Sequence, residues 1–408
     1  GHPTPATPFV KLATGASGVG IPASVGLAVG AIDTFGREQA PRVHILEGEG
    51  GMTPGRVSEA LATASAAQLS NVVMHIDWNQ ASIDSNRVCR DGAEPGDYVQ
   101  WDPSEFVYLH DWNLVRVPDG KDFAQILFAQ RAAAERRNDQ PTAICYRTVK
   151  GWKYGIEGRA SHGAGHKFCS PEYYTHLGEF EQAFGTAFPR LEKGADPERV
   201  ERTFWDTLLV LRRTMENGGA WVRVLGDAIA AGRDRLNRRE RRIAPDRPDA
   251  ALIYTDAVRP DEIPEPLRLA PGASTTLRGA LGDTLNHLNR ISRGAILGGA
   301  ADLLGSTSIS NLAKGFPEGF YNAARNPGGR LIACGGICED AMGAVMAGLS
   351  AYGRHVGAGA SYGAFIAALE HVAARLHAIG QQARRDLTGA EPNPFLLVCG
   401  HAGLKTGE

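Results

Sequence analysis

Arg42-Val43-His44-Ile45-Leu46-Glu47-Gly48-Glu49-Gly50, then an alanine-rich stretch from Val57 to Leu69, then Val72-Val73-Met74-His75-Ile76-Asp77-Trp78-Asn79, together decide the fold. A short apolar run rich in β-formers stops at a glycine turn, helical spacing follows, and a second apolar run stops at an asparagine. Strand, loop, helix and strand in that order predict a βαβ unit with parallel strands, whose ligands bind at the carboxyl edge of the sheet. Glu49 and Asn79, about thirty residues apart, each close one strand, so a carboxylate and an amide oxygen converge at that edge. Such oxygen ligands suit a hard cation, magnesium or calcium, bridging a diphosphate. Taken alone, the same residues also read as a glycine turn and a turn asparagine.

The pattern extends in both directions. Upstream, Gly15-Ala16-Ser17-Gly18-Val19-Gly20 opens a small-residue helical stretch, and a glycine turn before a helix can offer backbone N–H groups to a phosphate. Downstream come a strand at Thr142 to Thr148, a Gly/His-rich loop from Gly151 to His166, and helical, arginine-bearing sequence from Pro197 to Arg242. Residues 244–273 hold Pro245, Pro248, Pro260, Pro264, Pro266 and Pro271 without a sustained period, which reads as a connector. A second α/β pattern follows: a helix Leu277 to Leu288, a strand Ala295 to Gly298, helices Glu339 to Tyr352 and Tyr362 to Ile379, and a strand Phe395 to Cys399. No repeat of 20 to 50 residues is visible.

Composition narrows the class of function. With 408 residues, the chain is long enough for two domains. A net charge of -2 and no long Lys/Arg block argue against nucleic acid or an anionic membrane as partner. The six cysteines are sparse, so neither a disulfide scaffold nor a zinc ribbon is suggested. No apolar run reaches the roughly 18 to 20 residues of a membrane helix, and a cytoplasmic protein is expected. The chain starts Gly1-His2-Pro3 and stops at Glu408, so both ends read as cut.

Several motifs in one order resemble the transketolase family of thiamine diphosphate enzymes. Gly1-His2-Pro3 and Thr14-Gly15-Ala16-Ser17-Gly18-Val19-Gly20 come first. Gly48-Glu49-Gly50, Glu59-Ala60, Leu69-Ser70-Asn71 and Asp77-Trp78-Asn79 follow. The second half adds residues 296–303 (Ile296-Leu297-Gly298-Gly299-Ala300-Ala301-Asp302-Leu303), Ser310-Asn311-Leu312, Gly336-Ile337-Cys338-Glu339-Asp340-Ala341-Met342 and Tyr362-Gly363-Ala364-Phe365. The resemblance implies an α/β chain with two thiamine diphosphate-binding-fold domains, each a mainly parallel sheet flanked by helices. Residues 1–243 would be the diphosphate domain, 244–273 the linker, and 274–408 a pyrimidine domain incomplete at its C-terminal end. It implies thiamine diphosphate and Mg2+ (or Ca2+) as cofactors, with Glu49, Asn79 and the carbonyl of Ala81 on the metal. Gly15, Ser17, Gly50, His162, Asp302 and Phe365 would line the cofactor beside Glu49 and Asn79. Glu339 would be the activating carboxyl: bonded to the pyrimidine nitrogen, it favours the imino tautomer that generates the ylid. His2, His162 and His401 would trade protons around the reacting carbonyl, and Arg278, Ser306 and His401 would bind a substrate phosphate. A homodimer with sites at the subunit interface is implied as well.

The chain departs from the family at several points. Glu49 stands for the usual aspartate, Pro54 for a glutamate of the interface carboxylate network, and Cys338 and Asp340 for an arginine and a histidine. Ala368 and His371 fall where aromatics normally pack the pyrimidine ring, and Lys150-Gly151-Trp152 is closer to the Lys-Gly-aromatic of pyruvate dehydrogenase E1 components and phosphoketolases. The leading expectation is transfer of a two-carbon ketol unit, through a thiamine diphosphate carbanion, from a ketose phosphate to an aldose. The alternatives are a 2-oxo acid decarboxylating or acyl-transferring enzyme and a non-catalytic homologue. A nicotinamide-binding domain is disfavoured because no Gly-x-Gly-x-x-Gly joins a first strand to its helix with an acidic residue about twenty positions on.

Overall fold

Every strand of the first half lies parallel to its neighbours, as the βαβ reading requires. The computed structural model describes residues 7, 9–15, 17–163, 165–192, 194–255, 261–365, 367–372 and 394–401. In chain order the first half holds α1 (Gly20–Phe35), β1 (Val43–Gly48), α2 (Gly55–Ala66), β2 (Val72–Trp78), α3 (Pro103–Leu109), β3 (Asn113–Val117), α4 (Phe123–Glu135) and β4 (Thr142–Arg147). The sheet order is β1-β2-β4-β3, with Gly48 opposite Asp77 and Trp78 opposite Arg147. Next come α5 (Pro171–Phe184), α6 (Pro197–Glu216) and α7 (Ala220–Arg238). The rest of the described chain is α8 (Leu277–Ile291), β5 (Ile296–Ala300), α9 (Glu339–Ala351), β6 (Val356–Ser361), α10 (Ala367–Val372) and β7 (Leu396–Cys399), and its sheet is again parallel, ordered β5-β6-β7.

Packing divides the chain into two compact units. One comprises residues 1–79, 87–148 and 243–408 and so holds both sheets; the other comprises 80–86 and 149–242. In the first unit, α1 and α9 are apolar nearly all round, the composition of helices buried on every side. They touch backbone to backbone. A Cβ on Gly26 would lie 2.0 Å from the Val345 carbonyl oxygen, and one on Gly348 would lie 1.9 Å from that of Ala23. Around this contact Ile21, Val25, Leu61, Met74, Met342 and Val345 form one core, while Leu285, Ile296, Leu312 and Ala358 anchor a second core at the β5-β6-β7 sheet. A buried polar link lies within this same unit. Asp33 of α1 takes two hydrogen bonds from the Arg330 guanidinium, at 2.8 and 3.1 Å, and lies 2.9 Å from Nε2 of His355. Burial alone would raise the Asp33 carboxyl, but His355 and Arg330 hold it down to about 2.

In the second unit Ser170 caps α5 and Asp196 caps α6 through their side-chain oxygens. The single helical stretch expected from Pro197 to Arg242 is interrupted where Gly219 takes a φ of 63°. The helix expected from Tyr362 begins later among the described residues: Gly363–Phe365 is a 3-10 turn and α10 starts at Ala367. Two strands were not expected from the sequence, β3 and β6. Strand β6 reads Val-Gly-Ala-Gly-Ala-Ser, fully buried, because a larger residue at Gly357 would strike the Met346 carbonyl at 2.2 Å.

Candidate functional site

At the carboxyl edge of the first sheet, β1 runs into a 3-10 turn, Glu49–Met52, that tucks the Glu49 side chain to 1% exposure. One carboxylate oxygen, Oε2, accepts the backbone N–H of Asn79 at 3.2 Å. The Asn79 side-chain nitrogen donates to Asp77 Oδ2 at 2.8 Å, and the Thr148 hydroxyl donates to the other Asp77 oxygen. With its nitrogen committed to Asp77, the ligand-type atom of the Asn79 amide is its oxygen. Burial first, then the Glu49 and Asp102 carboxylates, push the Cys89 thiol up to about 12. A buried carboxylate such as Glu49 is a setting in which a divalent cation is favourable. The glycine turn before α1 packs on the same loop. At Gly18, φ 73°, a Cβ would meet the Gly51 carbonyl, Pro54 and Val57 at 3.0 Å, whereas Gly15 and Gly50 border open space. That combination leaves room for a phosphate-bearing group beside bare backbone, so the residues present fit both metal and diphosphate.

The second sheet presents its own carboxyl edge. Asp302 follows β5 in a left-handed conformation, φ 57°, and is exposed. Tyr362 follows β6 and His401 follows β7; their rings meet edge to face at 6.1 Å, and the Gly363 N–H donates to the His401 carbonyl at 2.6 Å. Phe365, 44% exposed, stands in the turn just beyond. Glu339 is the first residue of α9, and the Ser361 hydroxyl at the end of β6 donates to its Oε1 at 3.3 Å. Burial, then Glu59 and Glu339, push the Cys338 thiol up to about 11. Ser306 donates to the Leu303 carbonyl at 3.3 Å, and Arg278 is exposed in the first turn of α8. Thus Asp302, Glu339, Phe365 and His401 share one sheet edge.

Ala81 and His162 belong to the second unit. Lys150 Nζ lies 3.2 Å from Nδ1 of the exposed His162 and 3.4 Å from the Ser82 carbonyl. An ammonium only donates, so Nδ1 is the acceptor in this contact. His2 lies outside the described residues. Asp77 and Ser361, which hold Asn79 and Glu339, were missed in the sequence. Asp77 lies two residues before Asn79 and so on the same side of an extended chain, a usable signal, whereas nothing marks Ser361.

Residues 1–169 match the family model described as transketolase, thiamine diphosphate binding domain, and residues 273–408 match transketolase, pyrimidine binding domain. The chain belongs to the transketolase family. Among curated relatives, transketolase of Staphylococcus epidermidis is 27% identical over 369 residues, covering 86% of this chain and 49% of its own length. Transketolase-like protein 2 of Mus musculus is 35% identical over 151 residues, covering 37% of this chain and 22% of its own. The solved transketolase of Leishmania mexicana superposes with a TM-score of 0.62 at 20% identity, over 97% of this chain and 53% of that one. Transketolase of Pichia stipitis in complex with sedoheptulose-7-phosphate gives 0.61 at 21% identity, over 94% and 52%. The chain therefore spans about half the length of these structures, and 22% of the mouse relative. The expected α/β fold with two thiamine diphosphate-binding-fold domains is the fold observed. No described helix is long and apolar enough to cross a membrane.

Proposed function

We propose that the chain carries transketolase chemistry, moving a two-carbon ketol unit from a ketose phosphate to an aldose with thiamine diphosphate and Mg2+ (or Ca2+). One observation carries the reading: Glu339 opens a buried helix and is steadied by Ser361, the rigid placement that an activating carboxyl needs. When bound, thiamine diphosphate supplies a nucleophilic carbon that no side chain offers. Glu49, Asn79 and the Ala81 carbonyl would hold the cation, and Gly15, Ser17, Gly50, His162, Asp302 and Phe365 would line the cofactor. His2, His162 and His401 would exchange protons with substrate hydroxyls, while Arg278 and Ser306 grip a phosphate. Residues 1–243 and 274–408 would be the two cofactor domains joined by 244–273, and two chains would pair in the cytoplasm with sites between them.

Lys150 beside His162 favours a second reading, a 2-oxo acid as donor, because an ammonium there can hold a carboxylate. Calorimetry with thiamine diphosphate, with Mg2+ and with chelator, followed by product analysis with either donor, separates the cases. Metal-dependent binding and two-carbon transfer from the ketose phosphate are expected. Equal affinity under chelator would remove Glu49 and Asn79 from a metal site, and product from the 2-oxo acid alone would put the second reading first. Binding with no turnover of either donor would make the chain a non-catalytic relative.

A further inference from the structure

A helix leaves its first N–H groups without partners inside the helix, and α9 gets no help from its own N-cap, because Cys338 makes no side-chain cap. Helix α2, which follows the first sheet's opening strand, supplies one acceptor and clamps the same turn through a side chain. Glu59 Oε2 accepts the Ala341 N–H at 2.8 Å, and Arg56 Nε binds Asp340 Oδ2 at 2.9 Å. Arg56 and Glu59 are three apart on α2 and so present one face to the first turn of α9. The ion pair is sheltered, its side chains 16% and 26% exposed, which lifts it above an ordinary surface pair. The surroundings explain the need for a cation. Glu59, Glu339 and Asp340 crowd this turn, and the Glu59 carboxyl is raised by burial first and then, beyond its bond from Ala341, by Asp340 and Glu339. Arg56 is the positive charge that its own helix brings to that crowd.

We infer that Arg56 is a positioning residue for Glu339: by binding Asp340 it fixes the first turn of α9, and with it the direction of the Glu339 carboxyl toward Ser361. The inference rests on the reading of Glu339 as the cofactor-activating group. Its test compares the full chain with Arg56→Ala, Arg56→Lys, Asp340→Asn and the Arg56→Ala/Asp340→Asn double variant. In the cofactor-free protein, amide hydrogen exchange at residues 340–342 is read by mass spectrometry. With thiamine diphosphate and Mg2+ saturating, exchange of the cofactor's C2 proton is read by NMR.

Arg56→Ala should speed the amides and slow C2 exchange by about 10- to 100-fold, as misplacement of a reacting group does. Cofactor affinity should stay within about 3-fold, Lys should recover most of the loss, and the double variant should cost no more than either single one, the signature of one shared contact. Faster amides with unchanged C2 exchange would reduce Arg56 to scaffold and overturn the inference, as would unchanged amides. A wild-type chain that binds no thiamine diphosphate would defeat the functional reading instead. The amide measurement, with its Lys rescue and non-additivity, would then still decide whether Arg56 holds this turn.

Discussion

Glu339 and Asn79 are held by unlike means, and their replacement should fail in unlike ways. Glu339 sits on a helix start and is touched by a hydroxyl, so Glu339→Gln keeps size and hydrogen bonding while removing the ionisable carboxyl. Cofactor and metal should still bind, and C2-proton exchange should slow by about 10²- to 10⁴-fold, the usual cost of a positioned acid–base group. Asn79→Ala should instead weaken metal-dependent cofactor binding before any rate is affected, because its backbone and side chain are tied to Glu49 and Asp77. Calorimetry beside exchange NMR resolves the two; a Gln variant exchanging at the wild-type rate would leave the Ser361 contact a packing detail. Glu49 and Asn79 were legible because each ends a strand of recognisable composition, and parallel pairing brings strand ends together. Asp77 and Ser361 were not, since their roles depend on which neighbour the sheet sets beside them.

Among the elements, β1 and β2 were readable from β-formers bounded by turns, and α9 from its long small-residue and apolar run. Strand β6 was unreadable. Its glycines and alanines carry no periodic signal, and their reason lies in Met346 on a helix whose position only tertiary packing fixes. The same logic governs α1 and α9. At Gly26 a methyl group has no space and meets backbone, which cannot rotate aside, so the helices must separate. Gly26→Ala should lower the unfolding free energy by about 1–3 kcal/mol, the range for overpacking, despite the gain in helix propensity. Urea denaturation measures this directly; an unchanged midpoint would mean that α1 can slide along α9 freely.

Across the whole molecule, Asp33 is the charge on which separate parts of the fold agree. Its carboxyl stands at about 2 in the folded chain against an ordinary 3.8, so the ionised form favours folding. That contribution is fully present above pH 3.8 and is lost as the pH falls toward about 2. Asp33→Asn should be less stable at neutral pH by about 3–5 kcal/mol, the cost of leaving a buried partner charge uncompensated, and its stability should vary less with acid than that of the native chain. Denaturation curves at a series of pH values would show two parallel profiles if Asp33 did not carry this dependence. Nothing in the sequence pointed to the cluster, because its members lie far apart in the chain.

That separation sets an order of events when the protein is made. Arg330 emerges from the ribosome 297 residues after Asp33, and His355 follows 322 residues after it. At about 5–20 residues per second, Asp33 waits about 15–65 s for its two buried partners. Through that interval the side of α1 that meets α2 and β1 can already be covered, while the side that will pack on α9, with the Asp33 carboxyl, has no native cover. Until α9 is made, that side is an exposed apolar surface of the kind that chaperones shield.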